Sequence, residues 1–199
     1  MTPPSERQKV SIANVFLQRW ILTNATVVGL GLGLPMTVAS LLSSDGHGNF
    51  LLMAVFCLGL WLGIAQWLIL RKFCPLPRSW IFISAAMPWL AMVVAYSFIM
   101  TFHPIVGITF IILSWPFSLG LGQWHILRQV IRPVGRWPLI TVVAIVLGAL
   151  LGISMVPLIG NLTPFLGLVY GICGCVGGGI YGAVTGLNFP LNSGNNRNT

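Results

Sequence analysis

The chain has 199 residues, of which 56% are hydrophobic and only 6% are charged. A soluble domain carries about 25% charged residues, so this composition excludes a soluble globular protein and predicts a surface that mostly faces lipid. The chain contains ten Lys and Arg residues and two acidic residues. In a soluble protein this balance would favour nucleic-acid binding, but the placement of the cations indicates membrane orientation instead, and we expect no nucleic-acid partner.

Continuous apolar runs predict an all-α integral membrane protein with six transmembrane helices. Each run is long enough to cross about 30 Å of hydrocarbon as a helix, and none alternates in polarity as the strands of a membrane barrel do. The predicted spans are residues 20–42, 50–70, 80–100, 105–127, 137–159 and 164–187. Residues 1–18 are predicted to be a cytoplasmic segment without a removable signal peptide, residues 19–188 the transmembrane domain, and residues 189–199 a polar, disordered cytoplasmic tail.

All ten cations fall on one side of this predicted bundle. They precede span one, follow span six, or lie between spans two and three and between spans four and five, at Arg7, Lys9, Arg19, Arg71, Lys72, Arg78, Arg128, Arg132, Arg136 and Arg197. Because cytoplasmic loops are rich in Lys and Arg, we expect both termini in the cytoplasm. The cations then lie against an anionic lipid leaflet, which is the expected partner surface.

One phrase occurs twice, as GIAQWLILR at 63–71 and GLGQWHILR at 120–128, with six of nine positions identical. Gly178 follows Gly120 by 58 residues, and Tyr181 stands where the glutamine would be. The period of about 58 residues predicts three parallel-related hairpin repeats, at about 19–72, 78–130 and 136–188. Repeats of this kind are related by an axis along the membrane normal, and a pseudo-threefold arrangement is expected.

The glutamines of this phrase are the first candidate functional residues. An amide should not face lipid, so Gln66 and Gln123 are predicted to form hydrogen bonds across helices. The alternative is that they bind a cofactor together with His125, since a histidine in a membrane can ligate haem or chlorophyll. No cofactor is otherwise expected.

Glycines and tryptophans are assigned to packing and to the membrane boundary. Glycine allows close helix approach, either within the bundle or in a homo-oligomer or partner interface, and the packing glycines are Gly59, Gly63, Gly120, Gly148, Gly152, Gly174, Gly178, Gly182 and Gly186. Trp and Arg anchor helix ends at the headgroups, and the predicted interfacial anchors are Trp20, Trp67, Arg71, Trp80, Trp124, Arg128 and Trp137. Arg71 stands four residues after Trp67, at a spacing that permits a cation–π contact.

The predicted spans contain no Asp, Glu, Lys or Arg. Ion-coupled transport needs ionisable groups inside the membrane, and hydrolysis needs a general acid or base, so neither class is favoured. We expect no enzyme, no catalytic residue and no metal site. Cys57, Cys74, Cys173 and Cys175 are interpreted as small apolar filler. Pro88 and Pro116 mark either ordinary kinks or a broken-helix transport site.

The repeated G-x-x-Q-W-x-x-L-R, followed by a basic–aromatic helix start, resembles uncharacterised multi-pass membrane proteins of bacteria, chiefly of photosynthetic lineages. The likeness extends over roughly residues 19–188 and implies a bacterial plasma membrane or a thylakoid-type membrane. It implies no activity.

Three functions follow from these observations as hypotheses. The first is a structural, assembly or accessory role through helix–helix contacts. The second is a protein that binds a pigment, haem or lipid. The third is a passive pathway for a small solute or lipid along the pseudo-threefold axis.

Overall fold

A computed structural model describes residues 6–42, 47–101, 104–131, 134–161, 163 and 165–189. Every regular element in these ranges is a helix. In chain order they are α1 (Glu6–Leu42), α2 (His47–Leu70), α3 (Ser79–Thr101), α4 (Pro104–Val130), α5 (Trp137–Ser154), α6 (Val156–Gly160) and α7 (Leu166–Leu187). The all-α class predicted from the sequence is therefore confirmed.

Four helical segments are long and apolar enough to cross a membrane, as judged by length and composition. They are Ser11–Val38, Ser79–Ser97, Trp137–Gly160 and Gly167–Leu187, and α2 adds a shorter apolar stretch, Phe56–Leu70. These helices support membrane integration, while the full number of six spans stays a prediction. α5 and α6 together form one of the four segments. The helix is interrupted between them at Met155, shortly before Pro157.

The six long helices form a closed ring. Each contacts two neighbours, in the order α1, α2, α3, α4, α5 and α7, and α7 returns to α1. Within the described ranges the backbones of non-neighbouring long helices do not come close to one another. Because every partner is a lateral neighbour, the ring encloses space along its axis.

One end of the ring is closed by large side chains. Phe16, Trp20, Trp80 and Trp137 pack there with Phe189 and aliphatic residues from the ends of α2 and α4. The exposed cations of the described chain lie around these side chains. Arg19 lies inside α1 beside Trp20, and the others lie near helix ends or in the connections between helices, at Arg71, Lys72, Arg78, Arg128 and Arg136. We call this the basic end, and the packed side chains the aromatic plug.

The plug includes residues from both segments that were predicted to lie outside the transmembrane domain. α1 begins at Glu6, inside the predicted N-terminal segment, and carries Phe16 to the plug, where it is fully buried. Phe189, the first residue of the predicted tail, is 6% exposed. Burial of large aromatic surface explains both placements. The remainder of the predicted tail, residues 190–199, lies outside the described residues.

Glycines bring four pairs of helices into backbone contact: α2 with α3, α4 with α5, α7 with α1, and α5 with α7. In the first three pairs, one glycine faces two residues that stand one and four positions after a buried tryptophan. The three sets are Gly63 against Ile81 and Ser84, Gly120 against Pro138 and Thr141, and Gly182 against Ile21 and Asn24. By contact, the counterpart of Gly63 in α7 is therefore Gly182 and not Gly178, which differs from the predicted register by one helical turn.

Candidate functional site

The two glutamines of the repeated phrase meet inside the ring. Gln123 Nε2 donates to Gln66 Oε1 at 3.0 Å, and both side chains are fully buried. α2 and α4 are not neighbours in the ring, so this bond joins them across the interior in front of α3. The sequence prediction of hydrogen bonds across helices agrees with this geometry.

Each glutamine also bonds to further helices. Gln66 Nε2 donates to Asn24 Oδ1 at 2.8 Å and approaches the hydroxyl of Tyr181 at 3.5 Å. Gln123 Nε2 donates to Ser84 Oγ at 3.3 Å, and Gln123 Oε1 accepts from Trp137 Nε1 at 3.2 Å. Both amide groups thus donate two bonds and accept one.

We call this group the polar layer, made of Asn24, Gln66, Ser84, Gln123, Trp137 and Tyr181. Thr185 lies beside it and accepts from Trp20 Nε1 at 2.9 Å. Asn24, Ser84 and Thr141 were missed by the sequence analysis, although a signal was present. Each stands four residues after a tryptophan that opens a predicted span, and all three are fully buried.

Two groups beside the polar layer have no hydrogen-bond partner. They are Trp80 Nε1 and Thr141 Oγ1, and both residues are fully buried. The indole of Trp137 donates to the amide oxygen of Gln123, and the amide oxygen of Gln66 would be the equivalent acceptor for Trp80. That oxygen accepts from Gln123 instead, so Trp80 Nε1 has no acceptor. Thr185 stands three residues after Gly182, as Gln66 does after Gly63, so it is the side chain expected to bond to Thr141. Its hydroxyl instead accepts from Trp20 and donates to Tyr181 O, which leaves the hydroxyl of Thr141 without a partner.

Three predicted interfacial anchors lie inside the bundle. Trp20, Trp80 and Trp137 are at most 2% exposed and form part of the aromatic plug. Trp80 and Trp137 lie at the starts of α3 and α5, whereas Trp20 lies inside α1, and all three rings face the ring interior. Their indoles turn inward because the plug offers apolar contacts and, for two of them, a hydrogen-bond acceptor.

The other anchors lie at the periphery of the basic end. The guanidinium of Arg71 lies 4.8 Å from the Trp67 ring centre, and that of Arg128 lies 4.6 Å from the Trp124 ring centre. Trp67 Nε1 also donates to Leu76 O at 3.1 Å, which ties the α2–α3 connection to α2. The spacing therefore produces the expected cation–π contact twice.

The remaining predicted packing glycines also face helices of the same chain. A methyl group on any of them would meet a neighbouring helix at or near van der Waals overlap. Gly59 faces α3, Gly148 and Gly152 face α7, and Gly174, Gly178 and Gly186 face α1. Gly59 approaches the carbonyl of Ser84, which has no helical N–H partner because Pro88 stands four residues later.

His125 lies apart from the polar layer. Its side chain is exposed at the basic end, and its Nδ1 lies 3.2 Å from Arg128 Nη2. Among the described residues no three His, Cys, Asp or Glu side chains come close enough to hold a metal ion. Cys74, in the α2–α3 connection, is a poor nucleophile, because burial raises the pKa of its thiol to about 11 and the thiol donates to Leu70 O.

A cavity of about 320 Å³ lies on the side of the polar layer away from the basic end. All six long helices contribute to its wall, with residues such as Leu32, Leu62, Pro88, Leu119 and Ile145. The wall is largely apolar. Its oxygen- and nitrogen-bearing side chains are Ser84 and Tyr181, which belong to the polar layer, together with Tyr170 and Trp115. Pro88 thus borders the cavity, whereas Pro116 is buried without lining it.

Fold and site together define a helical bundle of membrane-protein type with a closed basic end and an apolar interior cavity. Comparison with protein-family models, curated proteins and solved structures finds no match to this chain. Its function is therefore inferred from the geometry of the bundle.

Proposed function

We propose that the protein is a non-catalytic integral membrane protein that holds one apolar molecule inside its ring of helices. The observation that carries this proposal is the cavity of about 320 Å³ to which all six long helices contribute. Ligand sites in proteins have volumes of about 300–1,000 Å³ and mostly apolar walls. The polar layer and the aromatic plug close this cavity toward the basic end, so an occupant would be retained there.

The use of the glycines favours binding over an assembly role. A homo-oligomer or partner interface built on glycine faces needs those faces on the outside of the bundle. The predicted packing glycines contact helices of their own chain instead. The structural or accessory hypothesis thereby loses the sequence feature that motivated it.

The closed basic end argues against a passive pathway. A solute moving along the axis would have to break the bond between Gln66 and Gln123 and displace Trp20, Trp80 and Trp137, which are almost completely buried. Each of these steps replaces satisfied contacts by unsatisfied ones. A molecule that enters the cavity therefore meets a closed floor.

The geometry gives little support to haem or chlorophyll at the residues named for it. The amides of Gln66 and Gln123 are engaged with each other and with neighbouring helices. His125 is exposed at the basic end, on the far side of the polar layer from the cavity. A pigment bound by all three residues is not favoured by this placement.

The proposal includes six spans, both termini in the cytoplasm and a pseudo-threefold arrangement of three hairpins. The equivalent contacts of Gly63, Gly120 and Gly182 support the threefold arrangement. The clustering of described cations at one end supports the orientation. The resemblance to bacterial multi-pass membrane proteins fits this architecture, and a bacterial plasma membrane or thylakoid-type membrane remains part of the proposal.

Filling the cavity tests the function. Leu32 lines the cavity, and Leu34 on the same helix is 59% exposed on the outside. Purification in mild detergent and mass spectrometry of the extract should find an apolar molecule in stoichiometric amount with the wild type and with Leu34→Trp. Leu32→Trp should retain about five-fold less, since the new side chain occupies the site. Equal retention by both variants, or none by the wild type, would contradict the proposal.

A further inference from the structure

The wall of the cavity selects the chemistry of its occupant. Ser84, Tyr170 and Tyr181 are the lining residues with polar side-chain oxygens, and Trp115 adds an indole N–H. Ser84 Oγ accepts from Gln123, and the hydroxyl of Tyr181 lies against Gln66. Both groups face the floor of the cavity and already belong to the polar layer. An occupant therefore meets a largely apolar side wall and a floor of polar groups that are bonded to one another.

A polar atom carried down to this floor would lose its hydrogen bonds to water, while the amides of the polar layer are already bonded to other groups of the protein. Such a transfer costs roughly 1–3 kcal/mol in proteins. Haem would in addition bring two carboxylates, and no Lys or Arg lines the cavity. The floor of the cavity is consequently selective against a polar chain end, while the largely apolar wall accepts hydrocarbon.

The size of the cavity limits the length of the occupant. An apolar protein cavity of about 150 Å³ holds one benzene, so a cavity of about 320 Å³ has room for roughly a dozen carbon atoms. Along α1 the lining residues extend from Val28 to Met36, a rise of about 12 Å. A volume of about 320 Å³ over that length gives a mean cross-section of roughly 27 Å², so the cavity is longer than it is wide. Its length is less than half of the roughly 30 Å hydrocarbon thickness.

We propose that the cavity takes the hydrocarbon tail of a single lipid, with about a dozen carbons inside and the polar head outside, away from the basic end. The tail enters with its apolar terminus toward the polar layer, since the opposite orientation would bury a head group against an apolar wall. This inference rests on the proposed function and names the chemical class of its ligand.

Photocrosslinking in proteoliposomes of the full chain tests the class of ligand. The first probe is a phosphatidylcholine with a diazirine near the end of one acyl chain. The second is the same lipid with a hydroxyl group added at that chain end, and the third is a photoreactive sterol. Peptide mass spectrometry then compares adducts at Ile145, which lines the cavity, with adducts at Leu147, which is 42% exposed on the same helix and does not line it.

The ratio of Ile145 to Leu147 adducts is the measured quantity, and Leu147 corrects for lipid that merely surrounds the protein. We expect a high ratio for the tail probe and a ratio about ten-fold lower for the hydroxylated probe. Leu32→Trp should lower the ratio for the tail probe by about five-fold, and Leu34→Trp should leave it unchanged.

The outcomes separate the two proposals. Equal ratios for the plain and hydroxylated tails, or preferential labelling by the sterol, would overturn the hydrocarbon-tail inference while a bound apolar molecule would stand. Labelling of Leu147 without Ile145 by all three probes would overturn both. The comparison of probes uses the wild type alone, so it holds even if Leu32→Trp does not fold.

Discussion

At the scale of single residues, the polar layer is unusual because buried amides satisfy one another inside an apolar bundle. Hydrogen bonds between membrane helices contribute about 0.6–2 kcal/mol each, whereas a buried polar group without a partner costs about 1–3 kcal/mol. Gln123 takes part in three bonds that reach α2, α3 and α5. Thr141, fully buried beside it, has none for its hydroxyl. The two side chains should therefore respond oppositely to apolar replacement.

Gln123→Leu is predicted to lower the free energy of unfolding by about 2 kcal/mol or more, because it leaves Gln66 Oε1, Trp137 Nε1 and Ser84 Oγ without this partner. Thr141→Val, which keeps the shape and removes an unpaired hydroxyl, is predicted to be neutral or stabilising. Denaturant titration of both variants in detergent measures the difference. A loss of stability in Thr141→Val equal to that in Gln123→Leu would argue against this description of the polar layer.

At the scale of elements, glycine faces determine how the helices meet. A methyl group at Gly182 would lie 2.9 Å from the Cα of Ile21, a backbone atom that cannot move aside. A methyl group at Gly179, three residues earlier on the same helix, would lie 3.7 Å from the Cβ of Ala25, an ordinary contact. The two positions share a helix and a residue type, and they differ in the room available.

Gly182→Ala is predicted to destabilise the bundle by about 1–3 kcal/mol, because α1 and α7 must separate. Gly179→Ala is predicted to stabilise it by up to about 1 kcal/mol, because alanine is the better helix former. Thermal unfolding of the two purified variants in the same detergent gives the comparison. Similar unfolding temperatures for both variants would show that close approach of α1 and α7 contributes little.

The contacts of these elements also explain which features were predictable. Glycines at four-residue spacing indicate a packing face in any helix, so their role follows from the sequence. The sequence does not predict which residues each glycine contacts, because Gly178 and Gly182 lie on the same helix face, one turn apart. Gly182 contacts the turn after Trp20 as Gly63 contacts the turn after Trp80, and only this contact identifies Gly182 as the equivalent of Gly63. For the same reason Tyr181, predicted to replace the glutamine, contacts Gln66 instead.

At the scale of the whole molecule, ring closure decides which way side chains point. The preference of tryptophan for helix ends predicts depth in the membrane. It does not predict rotation about the helix axis, which depends on both neighbours of each helix. Trp20, Trp80 and Trp137 therefore face inward, although the predicted role as interfacial anchors concerned depth alone. The cavity is likewise a property of the closed ring, since residues from all six long helices line it, and no single predicted span carries its signal.

Four helical segments are long and apolar enough to span a membrane. The closed ring requires that α2 and α4 cross the membrane as well. Fusions of a reporter enzyme that is active only outside the cytoplasm test this. We expect activity after residues 46, 103 and 162, and silence after residues 75, 133 and 199, because each span reverses the side and the cations keep their loops inside. A second reporter that is active only in the cytoplasm should give the mirror pattern. If α2 lay along the surface instead, the fusion after residue 75 would be active, and the closed ring with its cavity could not form in the membrane.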